Sequence, residues 1–161
     1  MNIVIANRQR TKRINSRLLK QIVDTLLAEL EVTEAELGIN LVAAREMTLV
    51  NETFLNHPGS TDVITFDHTE KRRTKAAKAK ELHGELFICI DDAIVQAGEF
   101  KTNWQSEVVR YVVHGVLHLL GYDDLKPRLR RRMKREENRL VGLLAKRFAL
   151  AQLARTGKMS A

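Results

Sequence analysis

His114-Gly-Val-Leu-His118-Leu-Leu-Gly121-Tyr-Asp-Asp124 closes a stretch that is apolar almost all the way round a helix. From about Gln105 to Leu120 the chain carries Val108, Val109, Tyr111, Val112, Val113, Val116, Leu117, Leu119 and Leu120. A helix without a polar face lies buried in the middle of a domain, so the remaining elements must cover it. His114 and His118 are the polar exceptions. Four residues apart, they share one helix face, near enough for both imidazoles to hold one metal ion. Gly121 lacks the Cβ that opposes the left-handed backbone at a helix C-terminus. The chain can reverse there and bring Asp124 back to the same ion.

The spacing H-x-x-x-H-x-x-G-x-x-D has the ligand geometry of the long zinc-protease signature H-E-x-x-H-x-x-G-x-x-H, with two changes. Gly115 stands where that signature has its glutamate, and the third ligand is a carboxylate. A single histidine in an apolar helix is ordinarily a hydrogen-bonded core residue. Two at this spacing, followed by a helix-ending glycine and a carboxylate at the motif's offset, favour a metal. Asp124 has an alternative use as the cap of a helix entered at Pro127, and Asp123 is an alternative third ligand. The offset assigns Asp124 to the ion and leaves Asp123 a supporting role beside it. Three protein ligands leave one position for water, as in catalytic zinc sites, so one Zn2+ per chain is expected. The aspartate makes the site harder and more tolerant of manganese or iron. Without a carboxylate at position 115 the peptidase mechanism lacks its proton acceptor. Phosphodiester cleavage is less demanding, because a metal-activated water or an RNA 2′-hydroxyl can attack while cations stabilise the charge.

Outward from this helix the pattern alternates. Ile3-Val4-Ile5 reads as a strand, and Asn15 or Ser16 caps a helix whose apolar face is Leu18, Leu19, Ile22, Val23, Leu26, Leu27 and Leu30. Ile39 to Ala44 forms a second strand, giving a β-α-β opening with a parallel pair. Thr48 caps a short helix that Pro58-Gly59 stops. Asp62 to Phe66 is a third strand, Asp67 to His83 a long basic loop, and Gly84 to Ile90 a fourth strand. Asp91 or Asp92 caps a helix through Phe100. A last helix begins near Pro127 and turns Leu129, Met133, Leu140, Leu144 and Phe148 inward. The fold class is α+β with α/β-like character: one domain over 1–154, a small mixed four-stranded sheet covered by about five helices, and a disordered tail over 155–161.

With 27 Lys and Arg against 20 Asp and Glu, the 161-residue chain has a net charge of +7 and favours polyanionic partners, nucleic acid above all. The charge is clustered from Lys71 through Lys80 and again over Lys126 to Arg135. Lys71, Arg72, Arg73, Lys126, Arg128, Arg130 and Arg131 are the candidate RNA-binding residues. No apolar run reaches the length of a membrane span, and the N-terminal Met-Asn-Ile-Val-Ile-Ala is too short for a signal segment. The lone Cys89, between Ile88 and Ile90, reads as buried filler in a reducing compartment. A cytoplasmic protein without a membrane partner is expected.

HGVLHLLGYDD resembles the hallmark H-G-x-L-H-L-x-G-Y-D-H of the YbeY family of metal-dependent endoribonucleases. Asn51 followed by Thr61-Asp62-Val63-Ile64-Thr65-Phe66 is similar to a second family feature, an asparagine-containing helix leading to T-D-V-L-S-F. Gly84-Glu85-Leu86-Phe87-Ile88 is similar to a third, G-D-I-x-I. The resemblance implies zinc held by His114, His118 and Asp124, and cleavage of single-stranded RNA. It also implies maturation of the 3′ end of 16S rRNA, ribosome quality control, and partners in the small ribosomal subunit and its assembly factors. The alternative is a ribosome-assembly factor whose metal is mainly structural. The chain departs from the family at two points. Asp124 replaces a histidine, and the loop Phe54 to Ser60 lacks the family's arginine. A basic residue from the Lys71–Lys80 loop, or His57, is the candidate replacement, and His57 and Asp123 are the candidate catalytic helpers.

Overall fold

The computed structural model describes residues 1–69 and 80–154. Among them the elements run β1 (Asn2–Asn7), α1 (Ser16–Glu29), β2 (Val32–Val42), α2 (Ala44–Leu55), β3 (Val63–Asp67), β4 (Lys80–Cys89), α3 (Ile90–Phe100), α4 (Trp104–Leu119) and α5 (Pro127–Arg147), closed by a 3-10 turn at Leu150–Leu153. The strand order is β1-β2-β4-β3. β1 and β4 both pair with β2 in parallel, and β3 lies antiparallel on β4. This is the mixed four-stranded sheet with five helices that the sequence implied.

Side chains alternate across the sheet because successive Cβ atoms point to opposite faces. On one face Leu37, Ile39, Leu41, Leu86 and Ile88 join a large core with α1, α4 and α5. On the other, Val42, Ile64, Phe66, Phe87 and Cys89 form a smaller cluster with Met47 and Val50 of α2. α1 begins as expected, with the Asn15 side chain accepting the Leu18 N–H at 3.0 Å. Cys89 is buried, as expected, and desolvation pushes its thiol up to about 11.

Four element starts differ from expectation by two residues or more. β2 begins at Val32, not Ile39, because its first half pairs on both sides: Glu36 faces Asn2 of β1 and His83 of β4. For the same reason β4 begins at Lys80 rather than Gly84, so part of the expected loop is strand. α2 begins at Ala44, not at Thr48, because a remote cap replaces a local one: Asp91 Oδ2 accepts the Ala44 N–H at 2.6 Å. Asp91 and Asp92 accordingly lie inside the first turn of α3, whose N-cap is Cys89. Asp92 instead accepts from the Ser60 hydroxyl at 3.1 Å, tying that loop to the helix. No helix among the described residues is long and apolar enough to cross a membrane.

Candidate metal centre

α4 meets solvent along one stripe. From Glu107 to Leu119 every residue is buried except Arg110, His114 and His118, spaced four apart on one face. The opposite side is pressed onto the sheet, where a Cβ at Gly115 would stand 2.6 Å from Leu86 Cδ2. Position 115 therefore serves helix–sheet contact, and a glutamate has no room there.

The helix ends in a Schellman motif. The Tyr122 N–H donates to Leu117 O and the Gly121 N–H to His118 O, each at 3.0 Å, while Gly121 takes φ +100. This reversal returns Asp124 toward the histidines. His114 Nε2 and His118 Nε2 stand 3.1 Å apart, and Asp124 Oδ2 lies 3.6 Å from His118 Nε2. One ligand atom from each of the three residues falls within 4.8 Å of the others.

The outer nitrogens decide the tautomers. His118 Nδ1 is 3.1 Å from the Tyr122 carbonyl oxygen, which can only accept, so Nδ1 carries the proton. His114 Nδ1 is 2.7 Å from Glu137 Oε1 on α5. Glu137 is 3% exposed, and burial by itself would raise its carboxyl. Hydrogen bonds from His114, Arg110 and Lys134 outweigh burial and hold it at about 2, so it too only accepts. Arg110 Nη1 reaches Glu137 Oε2 at 2.6 Å, and Lys134 Nζ reaches it at 3.0 Å. With each Nδ1 so engaged, a neutral ring turns its Nε2 lone pair toward the other ring and toward the carboxylate. Three such donors converging on one point fit a cation, and donors of a tetrahedral zinc site stand about 3.4 Å apart.

The three residues open onto a cleft of about 770 Å³ lined also by Asn51, His57 and Asp62. Asn51 is buried, and its side chain donates to Gly59 O at 2.9 Å while its own carbonyl accepts the His57 N–H at 3.3 Å. The asparagine thereby fixes the turn that carries His57 into the lining. Asp62 accepts from Val63 N–H at 2.7 Å and from Gln96 Nε2 at 3.0 Å.

Asp123 lies apart from the His114–His118–Asp124 group; its Oδ1 accepts the Leu125 N–H at 2.9 Å and it lines a different hollow. Asp124 does not cap α5, whose N-cap is Lys126 without a side-chain hydrogen bond. Lys126, Arg128, Arg130 and Arg131 are exposed at the start of α5, directly after the turn that carries Asp124. Arg130 Nε donates to the Asp124 carbonyl at 3.2 Å. Lys71, Arg72 and Arg73 lie outside the described residues. Glu137 and Arg110 were not anticipated. Their signals were a glutamate on the apolar face of α5, between Met133 and Leu140, and an arginine one turn before His114.

The endoribonuclease YbeY family model matches residues 4–145. A protein of that designation from Chlorobium phaeovibrioides is 32% identical over 126 residues, covering 78% of this chain and 80% of its own. Another from Chlorobium luteolum is 31% identical over 138 residues, covering 86% and 94%. The solution structure of a Thermotoga maritima protein superposes with a TM-score of 0.67 over 99% of each chain at 22% identity, a likeness of fold.

Proposed function

The chain belongs to the YbeY family, and from this premise we propose that it is a cytoplasmic, zinc-dependent endoribonuclease. It cleaves single-stranded RNA in the maturation of the 16S rRNA 3′ end and in ribosome quality control, working on the small subunit with its assembly factors. The observation that carries this reading is the convergence of two bare imidazole nitrogens and a carboxylate on an open cleft. A divalent cation held there supplies Lewis-acid chemistry to a phosphodiester.

The chain's own residues do the rest. His114, His118 and Asp124 hold the ion, and Glu137 and the Tyr122 carbonyl fix the two rings. His57 exchanges a proton with a reacting oxygen in the cleft. Lys126, Arg128, Arg130 and Arg131 attract the RNA backbone. Their placement works against the fold: the first turn of α5 holds no acid, and cations at a helix N-terminus oppose its dipole. Such a cluster fits a polyanion-binding role better than a stabilising one. Peptide hydrolysis does not suit the site, because Gly115 against Leu86 leaves no place for the protease base.

The test is nicking of an unstructured RNA by the purified protein. Chelator should stop it, and His114→Ala should abolish it with the circular dichroism spectrum unchanged. Absence of cleavage by the zinc-loaded protein would leave the assembly-factor role, and cleavage surviving in His114→Ala would remove the site.

A further inference from the structure

Behind His114 lies a second cavity, of about 460 Å³, sharing Asp62, Val63 and His114 with the metal cleft and lined further by Phe100, Glu107, Arg110, Tyr111 and Lys134. Its volume falls in the roughly 300–1,000 Å³ range of small-molecule sites. Its polar lining is unusual. Glu107 is 5% exposed, and its carboxylate has no hydrogen bond or ion pair among the described residues; its backbone N–H is bonded to Asn103 O at 3.2 Å. Tyr111 is 4% exposed, and its hydroxyl has no partner either. Burying a hydroxyl without a partner is costly, and among the described residues neither the Tyr111 hydroxyl nor the adjacent Glu107 carboxylate has one. Four apart on α4, the two groups sit side by side on one helix face. Burial pushes the Tyr111 hydroxyl up, so it stays protonated and can donate. Phe100, an aromatic ring left 64% exposed, stands at the same cavity. Arg110 uses Nη1 for Glu137 and Asn138, and its other N–H groups have no hydrogen bond among the described residues.

We propose that this cavity binds the base of the nucleotide next to the scissile phosphate and selects guanine. The inference rests on the endoribonuclease reading, since it names what that reading's substrate places beside the metal. Guanine's Watson–Crick edge presents two adjacent donors, N1–H and the 2-amino group, then the O6 acceptor. A carboxylate beside a hydroxyl donor complements that order: Glu107 accepts from both nitrogens and Tyr111 donates to O6. Adenine and cytosine satisfy only part of this set. Uracil turns a carbonyl oxygen toward the carboxylate, which repels it. Phe100 supplies a stacking face that any base can use, and Arg110 and Lys134 supply cations for the attached phosphate.

The test uses nucleotides that cannot be cleaved. The full chain is titrated with guanosine 5′-monophosphate and with uridine 5′-monophosphate and followed by amide and aromatic NMR shifts. The guanosine nucleotide should bind about tenfold tighter and shift the Phe100 and Tyr111 resonances. Glu107→Gln should bring its affinity down to the uridine level, while Phe100→Ala, a change at an exposed residue, should weaken both about tenfold and keep the preference. Equal affinities for the two nucleotides, a preference that survives Glu107→Gln, or shifts confined to His118 and Asp124 would overturn the proposal. Cleavage of unstructured RNA, assayed separately, keeps the two ideas apart. An active enzyme without guanine preference removes this inference alone, and selective binding without cleavage removes the nuclease reading while leaving guanine recognition in this cavity.

Discussion

His114 donates from Nδ1 to Oε1 of Glu137 at 2.7 Å, joining α4 to α5 through a carboxylate that Arg110 and Lys134 also bind. The bond sets the His114 tautomer and aims Nε2 into the cleft. Glu137→Gln should therefore leave the fold intact and weaken zinc by about tenfold or more, read by competition with a chromogenic chelator.

The same carboxyl makes the apoprotein acid-sensitive. Held at about 2, below the ordinary carboxylate value of about 4.3, Glu137 binds its proton more weakly folded than unfolded. Its stabilisation is complete above the unfolded value and is lost as pH falls through the folded one. Between pH 5 and pH 2.5 the urea midpoint should fall more in the parent chain than in Glu137→Gln.

Gly115→Ala sets helix propensity against packing. Alanine gains about 1 kcal/mol over glycine in a helix, but its Cβ would lie 2.6 Å from the fully buried Leu86 side chain. Overpacking costs about 1–3 kcal/mol, so a net loss of about 1 kcal/mol is expected in chemical denaturation. In a Leu86→Ala background the clash is gone, and the same substitution should stabilise.

Cys89 should not react with a disulfide reagent at pH 8 in the native protein. Burial pushes its thiol up to about 11 and removes it from solvent. One thiol per chain should appear on unfolding, timed by the unfolding rate.

The cations at the start of α5 should act through charge alone. Replacing Arg128 and Arg131 by alanine should weaken single-stranded RNA binding across sequences. It should also reduce the slope of log affinity against log salt by about 1.4, with zinc affinity unchanged. An unaltered slope would remove these two residues from the interface.

What the sequence revealed follows from how local each signal is. The apolar circumference of α4, the histidine pair and Gly121 are features of consecutive residues, and the structure places His114, His118 and Asp124 together. The strand state of Val32 to Gly38 is imposed from outside, by pairing with β1 and β4. Nothing in Thr33-Glu34-Ala35-Glu36 announces it. Asp91 looks like a cap and is one, but for α2, a helix 47 residues earlier in the chain. Glu137 was visible as an acid on an apolar face, while its partner His114 lies 23 residues away and only the packing of α4 on α5 joins them.

Anomalous scattering at the zinc edge, from crystals of the protein loaded with one equivalent of zinc, tests whether His114, His118 and Asp124 hold the ion together. The expected result is one peak per chain, about 2.0–2.1 Å from Nε2 of His114, Nε2 of His118 and a carboxylate oxygen of Asp124. A peak held by other side chains, or none between these three at full zinc loading, would contradict it.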